Sequence, residues 1–307
     1  MLAFVNTPGN ETPLELREVA EPQPTDQEAL VEVKAFSVNR GELALLAARP
    51  EGWRPGQDIA GIVVKRAADG SGPEVGTRVL GLAEQGGWAQ HVALPTARLA
   101  VLPEQVSFTQ AAALPMAGHT ALRILRLGGA LLGKRVLITG AAGGVGRFAV
   151  QLAALSGADV TGVVGHAERA EGLRELGASA VITQIDQAQG LFDVILESVG
   201  GTSLAAALQR IAPHGTLVVF GNSSGEDTPF SLFKLFGHEG ARLQTFFSYD
   251  PGVTSTLSAD LTTLVTLVAA GKLTVPLGRE TIWNDLAPAL TELRDRRIQG
   301  KAVFLVR

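Results

Sequence analysis

The stretch GKRVLITGAAGGVGRFAVQLAALSGADVTGVV (133–164) decides the fold of this chain. An apolar run (136–140) leads into a glycine-rich turn, a helical period follows, and a second apolar run (160–164) closes the stretch. Apolar runs of this length on either side of an amphipathic helix predict a βαβ unit. A glycine-rich turn before the helix lets the backbone approach a phosphate group, whose charge the positive end of the helix stabilises.

The glycine pattern of this turn departs from the G-x-G-x-x-G form in one position. Gly143 and Gly146 occupy the second and third glycine positions, whereas Ala141 stands in the first. A glycine pattern alone is a weak signal, but its place between a strand and a helix favours dinucleotide binding. The alternative is that the glycines serve only the close packing of the helix on the strand.

The residues after the second strand indicate which dinucleotide is bound. Folds that prefer NAD place an acidic residue there, about 20 residues after the turn, where it holds the ribose hydroxyls. Here the strand ends at Gly165, and His166 and Arg169 follow closely. No acid stands at the strand tip and two potential phosphate ligands lie next to it, so the sequence favours NADPH. In the alternative, Arg169 pairs with Glu168 or Glu171 on a solvated helix face.

Six short runs rich in Val, Ile and Leu follow one another from this region onward. They barely alternate polar with apolar residues, which is typical of strands buried on both faces of a parallel sheet. With helices between them, they predict an α/β fold, a doubly wound Rossmann sheet of six parallel strands. The runs are VLITG (136–140), VTGVV (160–164), AVIT (180–183), DVILESV (193–199), TLVVFG (216–221) and LQTFF (243–247).

The rest of the chain predicts a second, β-rich domain. Ten of the 15 prolines lie in residues 1–115, where short apolar runs alternate with turns, as in an irregular and largely antiparallel sheet. A helical stretch (109–127) leads into the Rossmann part, and after Tyr249 come two helical periods and a final apolar run (301–306). A lone strand after a complete sheet is expected to return to the first domain. We therefore expect one domain from 1–112 with 249–307, and a Rossmann domain from 113–248.

Composition excludes several classes of function. The chain of 307 residues contains no cysteine, so it has no disulfide, thiol nucleophile or thiolate metal site. Its formal charge is −4 and it has no block of Lys or Arg, which disfavours nucleic acid or an anionic membrane as a partner. No apolar run is long enough to span a bilayer, and the first residues lack the pattern of a signal peptide. We therefore expect a cytoplasmic protein.

Nine segments along nearly the whole chain form a specific pattern. They are SVNRGEL (37–43), RPGQDIAGIV (54–63), VGTRVLGL (75–82), GGWAQHVALP (86–95), LPMAGHTALRIL (114–125), VLITGAAGGVGRFAVQLA (136–153), FDVILESVGG (192–201), GTLVVFGNSSG (215–225) and GKAVFLV (300–306). In this order they resemble the medium-chain dehydrogenase/reductase superfamily, in particular its zinc-independent quinone oxidoreductase branch, the zeta-crystallin-like proteins. The resemblance implies a GroES-like substrate domain formed by both chain ends, a Rossmann domain between them, and an active site in the cleft.

Zinc-dependent members of that superfamily hold a catalytic metal with a cysteine, a histidine and a later cysteine. At the corresponding places this chain has residues 37–39, residues 57–58 and Met116, which offer neither a thiolate nor an imidazole. The segment GHEG (237–240) follows the fifth Rossmann strand, far from the place of the zinc motif. We therefore expect a reaction without a metal, in which hydride passes from NADPH to a quinone or to the β-carbon of an α,β-unsaturated carbonyl.

The resemblance also implies the residues that act in this reaction. Asn39 is implied as a neutral amide donor at the cleft that contacts the substrate or the nicotinamide, and its alternative role is to stabilise the turn. Glu42 is implied as a nearby acid whose alternative role is support of the loop. No side chain stands out as the proton donor, so water is the expected proton source. The residues implied to contact NADPH are Thr120, Ala142, Gly143, Gly144, Val145, Gly165, His166, Arg169, Gln184, Phe220, Gly221, Asn222, Thr245, Phe246 and Phe247. For Phe246 and Phe247 the alternative is that they are ordinary core residues of an apolar run.

Other functions remain open at this point. An enoyl-thioester reductase is disfavoured, because similar enzymes often use a tyrosine near this segment and Ala44 and its neighbours provide none. A nucleotide-binding protein with little turnover would keep the same fold, as crystallin-like members suggest. A serine hydrolase is the most distant alternative, since GNSSG (221–225) fits the G-x-S-x-G pattern but no helix signal follows it. The branch often forms dimers, so we expect a homodimer that takes a small-molecule substrate.

Overall fold

The computed structural model describes residues 1–10, 13–250 and 256–307. The chain divides into two compact units: unit 1 comprises Met1–His119 and Tyr249–Arg307, and unit 2 comprises Thr120–Ser248. The expected domain boundary follows residue 112, whereas unit 2 begins at Thr120. The domain assignment stays a prediction.

The described residues form fifteen strands and seven helices. The strands are β1 (Leu2–Asn6), β2 (Leu14–Glu18), β3 (Glu28–Val38), β4 (Asp58–Lys65), β5 (Arg78–Leu82), β6 (His91–Pro95), β7 (Leu99–Val101), β8 (Arg135–Thr139), β9 (Asp159–Val163), β10 (Ala180–Ile182), β11 (Phe192–Glu197), β12 (Ile211–Val219), β13 (Arg242–Thr245), β14 (Leu277–Ile282) and β15 (Lys301–Leu305). The helices are α1 (Arg40–Ala48), α2 (Phe108–Ala112), α3 (Ala117–Leu127), α4 (Gly144–Leu155), α5 (Gly201–Leu208), α6 (Leu257–Ala269) and α7 (Leu286–Arg294).

Unit 1 contains a seven-stranded sheet in the order β14-β15-β3-β4-β5-β7, with β6 paired to β3 beside this path. β1 and β2 form a separate antiparallel pair. The last strand, β15, pairs antiparallel with β3 and places Ala302 opposite Val38. The start of β15 therefore lies beside the carboxyl end of β3, where α1 begins.

An aromatic stack holds this part of unit 1 in place. Phe36 on β3 lies between Trp88 and Phe304, with ring centroids 5.9 and 5.4 Å away. All three side chains are fully buried, and the Trp88 indole Nε1 donates to the Ser37 carbonyl at 3.2 Å. Each stacked pair contributes about 0.5–1.5 kcal/mol beyond the burial of its area. The stack therefore fixes the position of the residues that follow Phe36.

Unit 2 is built on a six-stranded sheet in the order β10-β9-β8-β11-β12-β13. All of its neighbouring strands pair in parallel. The order reverses between β8 and β11, and in open parallel sheets ligands bind outside the carboxyl ends of the strands at such a switch point. The predicted six-stranded, doubly wound Rossmann sheet is confirmed.

The connections between these strands differ from the prediction of intervening helices. α4 joins β8 to β9 and α5 joins β11 to β12, but the other three connections contain only single turns of 3-10 helix within this fully described unit. The prediction was wrong for those three connections. In the β9–β10 connection, glycines at 172 and 177 adopt positive φ, a backbone conformation that interrupts a right-handed helix.

The helical stretch predicted over 109–127 is two helices rather than one. α2 ends at Ala112 and α3 begins at Ala117, and Pro115 lies between them. Proline lacks the backbone N–H that a helix interior needs and disfavours helical geometry in the residue before it. Among the helices of the described residues, none has the length and apolar character needed to cross a membrane.

Candidate active site

A cluster of polar side chains lies where β3 ends and α1 begins in unit 1. Asn39 is the residue before the first turn of α1, and its backbone N–H donates to Glu42 Oε2 at 2.8 Å. This is the reciprocal half of a capping box, in which an acid at the third helical position accepts from the capping residue. The Asn39 side chain turns instead to Asp58 and Lys301.

Asp58, the first residue of β4, is the acceptor at the centre of this cluster. Its Oδ2 accepts from Ser37 Oγ at 2.6 Å and from Asn39 Nδ2 at 2.9 Å. Its Oδ1 accepts from the Met116 backbone N–H at 2.7 Å. The Asp58 side chain is completely buried, so these bonds replace the water that an exposed carboxylate would bind.

Lys301, at the start of β15, supplies the positive charge of the cluster. Its Nζ donates to Val38 O at 2.9 Å, to Asn39 Oδ1 at 2.5 Å and to Asp58 Oδ2 at 3.0 Å. These three bonds use all three hydrogens of an ammonium group. Lys301 is only 2% exposed, so the ammonium is held entirely by protein groups. The network therefore joins β3, the Asn39 side chain that precedes α1, and the first residues of β4 and β15.

The cluster fixes which way the Asn39 amide faces. An ammonium group only donates hydrogen bonds, so it faces Oδ1, and an ionised carboxylate only accepts, so it faces Nδ2. Asn39 Nδ2 donates to Asp58 with one hydrogen, and its second N–H has no partner among the described residues. Asn39 as a whole is partly exposed.

Glu42 is the second predicted catalytic residue, and it is completely buried. The pKa of Glu42 is raised to about 8, mainly by burial and to a smaller extent by the nearby negative charge of Asp58. Its Oε1 is buried without a hydrogen-bond partner. Glu42 has no exposed surface with which to touch a substrate. Its hydrogen bond from the Asn39 backbone N–H is the kind of contact expected of a residue that supports the loop.

Tyr249 and Gln57 form a further pair in unit 1. The buried Gln57 side chain, which precedes Asp58, donates from Nε2 to the Tyr249 hydroxyl. Tyr249 itself is 55% exposed. Burial of its inner part raises the pKa of the Tyr249 hydroxyl, and the hydrogen bond from Gln57 acts in the opposite direction. This tyrosine is the only one in the chain.

The positions that correspond to zinc ligands do not fit a zinc ion. Asn39, Gln57 and Met116 provide two amides and a thioether, whereas zinc in proteins takes thiolates, imidazoles and carboxylates. The nearby carboxylate of Asp58 is already bonded to the Lys301 ammonium. Across 1–10, 13–250 and 256–307, no group of three or more His, Cys, Asp or Glu side chains is arranged to hold a metal.

The predicted nucleotide turn lies at the start of α4 in unit 2. Gly143 precedes the helix and makes no side-chain hydrogen bond to its first turn. A Cβ on Gly146 would meet the Gly140 carbonyl oxygen at 2.3 Å and the Ala141 Cα at 2.6 Å. The first glycine of the pattern is replaced by Ala141, and the positive φ in this turn occurs one residue earlier, at Gly140. The first N–H groups of a helix have no partner within it, so this turn can receive an anion.

The tip of β9 is open, as the NADPH prediction requires. A Cβ built on Gly165 would meet no atom within 4 Å, and its φ lies in an ordinary region. His166 is exposed and Arg169 partly buried in the segment that follows. Arg147, which sequence reasoning missed, donates from Nε to Ala142 O at 3.3 Å and from Nη2 to Glu171 O at 2.8 Å. Its guanidinium therefore ties the glycine turn to the segment after β9.

Most of the other predicted nucleotide contacts follow the carboxyl ends of strands in the same parallel sheet. Gln184 is exposed after β10, Asn222 is exposed after β12, and Phe247 is 70% exposed after β13. Phe246 is buried, so the two phenylalanines do not share one environment. Thr120 differs from the rest, because it lies within α3 and is buried. The predicted contacts that lie at or after the carboxyl end of a strand of this sheet are Ala142, Gly143, Gly144, Val145, Gly165, His166, Arg169, Gln184, Phe220, Gly221, Asn222, Thr245, Phe246 and Phe247.

The GNSSG segment does not have the geometry of a nucleophile elbow. That motif places its serine on a sharp turn between a strand and a helix. Here the segment follows β12, but the next helical residues are a single 3-10 turn (Leu232–Leu235). The later histidine, His238, contacts the carbonyl of Ile211 at 2.5 Å. The structure therefore offers no support for the hydrolase alternative.

Two family models match the two kinds of domain. Residues 25–104 match the alcohol dehydrogenase GroES-like domain, and residues 144–269 match the zinc-binding dehydrogenase domain. The predicted fold class, a GroES-like domain with a Rossmann domain, is thereby confirmed.

Several known proteins, some with solved structures, resemble this chain along most of its length. YhfP of Bacillus subtilis, provisionally named a quinone oxidoreductase, is 31% identical over 269 residues, which cover 81% of this chain and 79% of YhfP. The quinone oxidoreductase of Pseudomonas aeruginosa is 30% identical over 313 residues, covering 95% of each chain. The Escherichia coli quinone oxidoreductase, solved in complex with NADPH, superposes with a TM-score of 0.88 at 25% identity, covering 99% of this chain and 100% of that one.

A much larger protein also contains a similar region. The phthioceranic/hydroxyphthioceranic acid synthase of Mycobacterium tuberculosis is 30% identical over 323 aligned residues, which cover 98% of this chain but only 15% of the synthase. The full-length matches to quinone oxidoreductases are the ones that decide the family. The chain belongs to the quinone oxidoreductase-like branch of the medium-chain dehydrogenase/reductase superfamily, a family of oxidoreductases.

Proposed function

We propose that this protein uses NADPH to reduce a quinone or an α,β-unsaturated carbonyl compound without a metal ion. The observation that carries the proposal is the Asn39–Asp58–Lys301 network. Its ammonium replaces a metal as the local cation, and its remaining free hydrogen-bond donor is the second Asn39 N–H. A neutral donor of this kind stabilises negative charge that develops on a substrate oxygen, but it does not acidify an alcohol as zinc does.

The first turn of α4 is the part of unit 2 that we assign to the nucleotide pyrophosphate. The backbone of Gly143, Gly144 and Val145 would hold it, and Gly165, His166 and Arg169 would face the adenosine phosphate. Support comes from the E. coli quinone oxidoreductase, which is solved with NADPH. When bound, NADPH supplies the hydride and the chain supplies orientation and hydrogen-bond donors.

The cluster in unit 1 is the part that we assign to the acceptor. Asn39 would donate to the acceptor oxygen as negative charge builds on it. Glu42, Asp58 and Lys301 would act as positioning residues, because each is buried and contacts Asn39 or its neighbours. An amide held on both sides is pre-organised, so it loses little freedom when the substrate binds.

Enoyl-thioester reduction is the second candidate function. The match to the phthioceranic/hydroxyphthioceranic acid synthase over 98% of this chain favours it, and the same Asn39 donor suits a thioester carbonyl. The chain spans only 15% of that synthase, so this match supports a function less directly than the full-length matches to quinone oxidoreductases do. A protein that binds the nucleotide without turnover is the third candidate.

The test mixes purified protein and NADPH with a panel of quinones, enones and enoyl-thioesters, and follows the absorbance of the reduced nicotinamide. We expect oxidation with quinones or enones and weaker oxidation, or none, with thioesters. Binding of NADPH without oxidation by any acceptor would contradict the enzymatic proposal. No binding of either NADPH or NADH would also refute the assignment of unit 2.

We further propose that the protein forms a homodimer through the outer edge of the unit 2 sheet. β13 is the last strand in the sheet order and pairs only with β12 among the described residues. An unpaired edge strand is a template for another strand. Close to it in sequence, the apolar side chains Phe230, Leu232, Phe233, Phe236 and Leu243 are all more than half exposed. Two-fold pairing of β13 with its copy would cover both features.

Phe233→Glu combined with Phe236→Glu tests this surface. We expect the double variant to be monomeric in analytical ultracentrifugation at a concentration where the native protein is dimeric, because charges would be buried at the interface. Leu132→Glu is the control, since Leu132 is 83% exposed elsewhere in unit 2. A native protein that is monomeric, or a double variant that stays dimeric, would contradict the proposal.

The cytoplasmic location remains a prediction.

A further inference from the structure

The Tyr249–Gln57 pair is a polar group that the proposed hydride transfer does not yet use. The two residues are separated by 192 positions in the chain, and the fold of unit 1 brings them together. Gln57 is buried next to Asp58, so its amide is fixed, and it holds the oxygen of an otherwise accessible phenol. Tyr249 lies within the electrostatic influence of Glu42 and Asp58, the carboxyl groups of the Asn39 cluster.

This pair offers what hydride transfer to an enone needs and what the Asn39 cluster lacks. Addition of hydride to the β-carbon converts the enone into an enolate, which must then gain a proton at the α-carbon. Asn39 donates hydrogen bonds but an amide does not release its proton, and Lys301 is enclosed by its three acceptors. The phenol of Tyr249 is both acidic enough to protonate an enolate and exposed enough to meet one.

We propose that Tyr249 is the general acid of enone reduction and that Gln57 positions its hydroxyl. This proposal rests on the proposed function. The β-carbon receives the hydride from NADPH, which is oxidised to NADP⁺, and the electrons of the C=C bond form the enolate. The α-carbon of the enolate then takes the proton from the Tyr249 hydroxyl as its O–H bond breaks. The Gln57 N–H stabilises the resulting phenolate until solvent returns a proton to it.

The charges around Tyr249 are consistent with this role. Burial, Glu42 and Asp58 raise the pKa of the Tyr249 hydroxyl, whereas Gln57 and Arg49 lower it. The phenol therefore stays protonated at neutral pH and keeps the proton ready for transfer. The groups that lower its pKa are those that stabilise the phenolate, which is the form produced in the reaction.

Protonation at carbon gives a stereochemical readout. An enone that carries a methyl group on its α-carbon gains a stereocentre there, and a fixed acid delivers its proton to one face only. We expect the native protein to give one enantiomer and Tyr249→Phe to give a racemic product, because water then protonates the enolate from either face. We expect the same variant to lose about tenfold to hundredfold in kcat, the lower part of the range for a general acid.

A second measurement needs neither substrate nor nucleotide. Because Tyr249 is the only tyrosine, the ultraviolet absorption of tyrosinate reports its titration alone in the intact protein. We expect Gln57→Leu to move that titration to higher pH, since the hydrogen bond that stabilises the phenolate is removed. Gln85→Leu, which removes an acceptor of the Trp53 indole N–H in the same unit, is the control and should leave the titration unchanged.

The outcomes separate this inference from the proposed function. A racemic product from the native protein, or an unchanged rate and enantiomer in Tyr249→Phe, would overturn the role of Tyr249. A tyrosinate titration unaffected by Gln57→Leu would overturn the role of Gln57. A native protein that reduces none of the enones would overturn the proposed function instead, and the titration would still report whether Gln57 contacts Tyr249.

Discussion

Two turns from a strand into a helix, one in each unit, are built in opposite ways. After β3, side chains close the turn: Glu42 accepts from the Asn39 backbone, and Asp58 and Lys301 hold the Asn39 amide. After β8, the turn is bare, because Gly143 caps α4 without any side-chain hydrogen bond. In the first turn side chains bond to the backbone and to one another, whereas the second leaves N–H groups for a ligand.

This contrast teaches where each unit is sensitive to change. At the start of α1 the side chains are mutually dependent, so removal of one leaves others buried without partners. At the start of α4 the absence of side chains is itself the functional feature, so addition of one fills space that the backbone or a nucleotide needs. Removal should therefore damage unit 1 most, and addition should damage unit 2 most.

The largest effect is expected for Lys301→Met. It leaves the buried Asp58 carboxylate without its counter-charge, and breaking a buried pair in this way costs about 3–5 kcal/mol. Urea unfolding measures the loss of free energy. Lys65→Met, at an exposed position of β4, is the control and should change stability by less than about 0.5 kcal/mol.

A second change in the same cluster extends that test. Adding Asp58→Asn to Lys301→Met should recover part of the lost stability, because the unpaired buried charge is then removed. If Lys301→Met lowered the free energy of unfolding no more than Lys65→Met does, the side chains at the start of α1 would not depend on one another as the contrast requires.

The next effect is a pH dependence that Glu42 creates. Its pKa is about 8 in the folded protein against 4.5 for an ordinary glutamate, so the folded state binds this proton more tightly. Its contribution to stability is therefore fully present below pH 4.5 and is lost as the pH rises toward 8. Between these values the slope is at most about −1.4 kcal/mol per pH unit for one proton.

Glu42→Gln removes this titration. We expect urea unfolding between pH 5 and 8 to show a shallower decline of stability in the variant than in the native protein, because the amide cannot ionise. Glu51→Gln is the control, since the Glu51 side chain is 71% exposed. Equal slopes in the native protein and Glu42→Gln would show that the burial of Glu42 has no energetic consequence.

A third prediction concerns the glycine turn of unit 2. In Gly146→Ala the new methyl group would lie 2.3 Å from the Gly140 carbonyl oxygen, so α4 must shift away from β8. We expect a loss of about 1–3 kcal/mol in stability, the usual cost of overpacking, and weaker NADPH binding in a fluorescence titration. Gly41→Ala serves as the control, because a Cβ there meets nothing within 4 Å. Native-like NADPH affinity in Gly146→Ala would argue against this turn as the pyrophosphate site.

The smallest effect is expected at the tip of β9. Gly165→Asp places a carboxylate in open space, where it would bind the ribose hydroxyls of NADH and repel the phosphate of NADPH. We expect the ratio of the two Kd values to shift toward NADH by about tenfold, or about 1.4 kcal/mol. Gly165→Asn adds the same volume without charge and should shift the ratio less. An unchanged ratio in Gly165→Asp would remove this position from the nucleotide site.

Much of the fold could be predicted because its signals are local. The six apolar runs of the Rossmann sheet coincide with β8 to β13, and their parallel order is confirmed. The helices expected in three of the connections are absent, and Pro115 divides the stretch that was read as one helix. α1 was not predicted, because its start signal is a capping interaction between Asn39 and Glu42 rather than a marked apolar period.

The candidate site could be predicted only in part. Asn39 and Glu42 were found through a family resemblance, and their catalytic roles remain proposals. In the sequence, Asp58 stands out only because residues 57–58 correspond to the position of a zinc ligand in other members of the superfamily. Lys301 stands out only as the first residue of the final apolar run. No pattern marks either as a member of a site, because a lysine and an aspartate become a buried pair only when β15 and β4 lie on either side of β3.

By itself the sequence determined the strand–turn–helix order, the bare glycine turn and the absence of thiolates, since each depends on residue types within a short stretch of chain. The tertiary structure alone decided that Lys301 meets Asn39 across 262 positions and that Tyr249 meets Gln57 across 192. The physical reason is that buried charges and polar pairs exist only after distant strands pack and exclude water, so their chemistry has no local signature in the sequence.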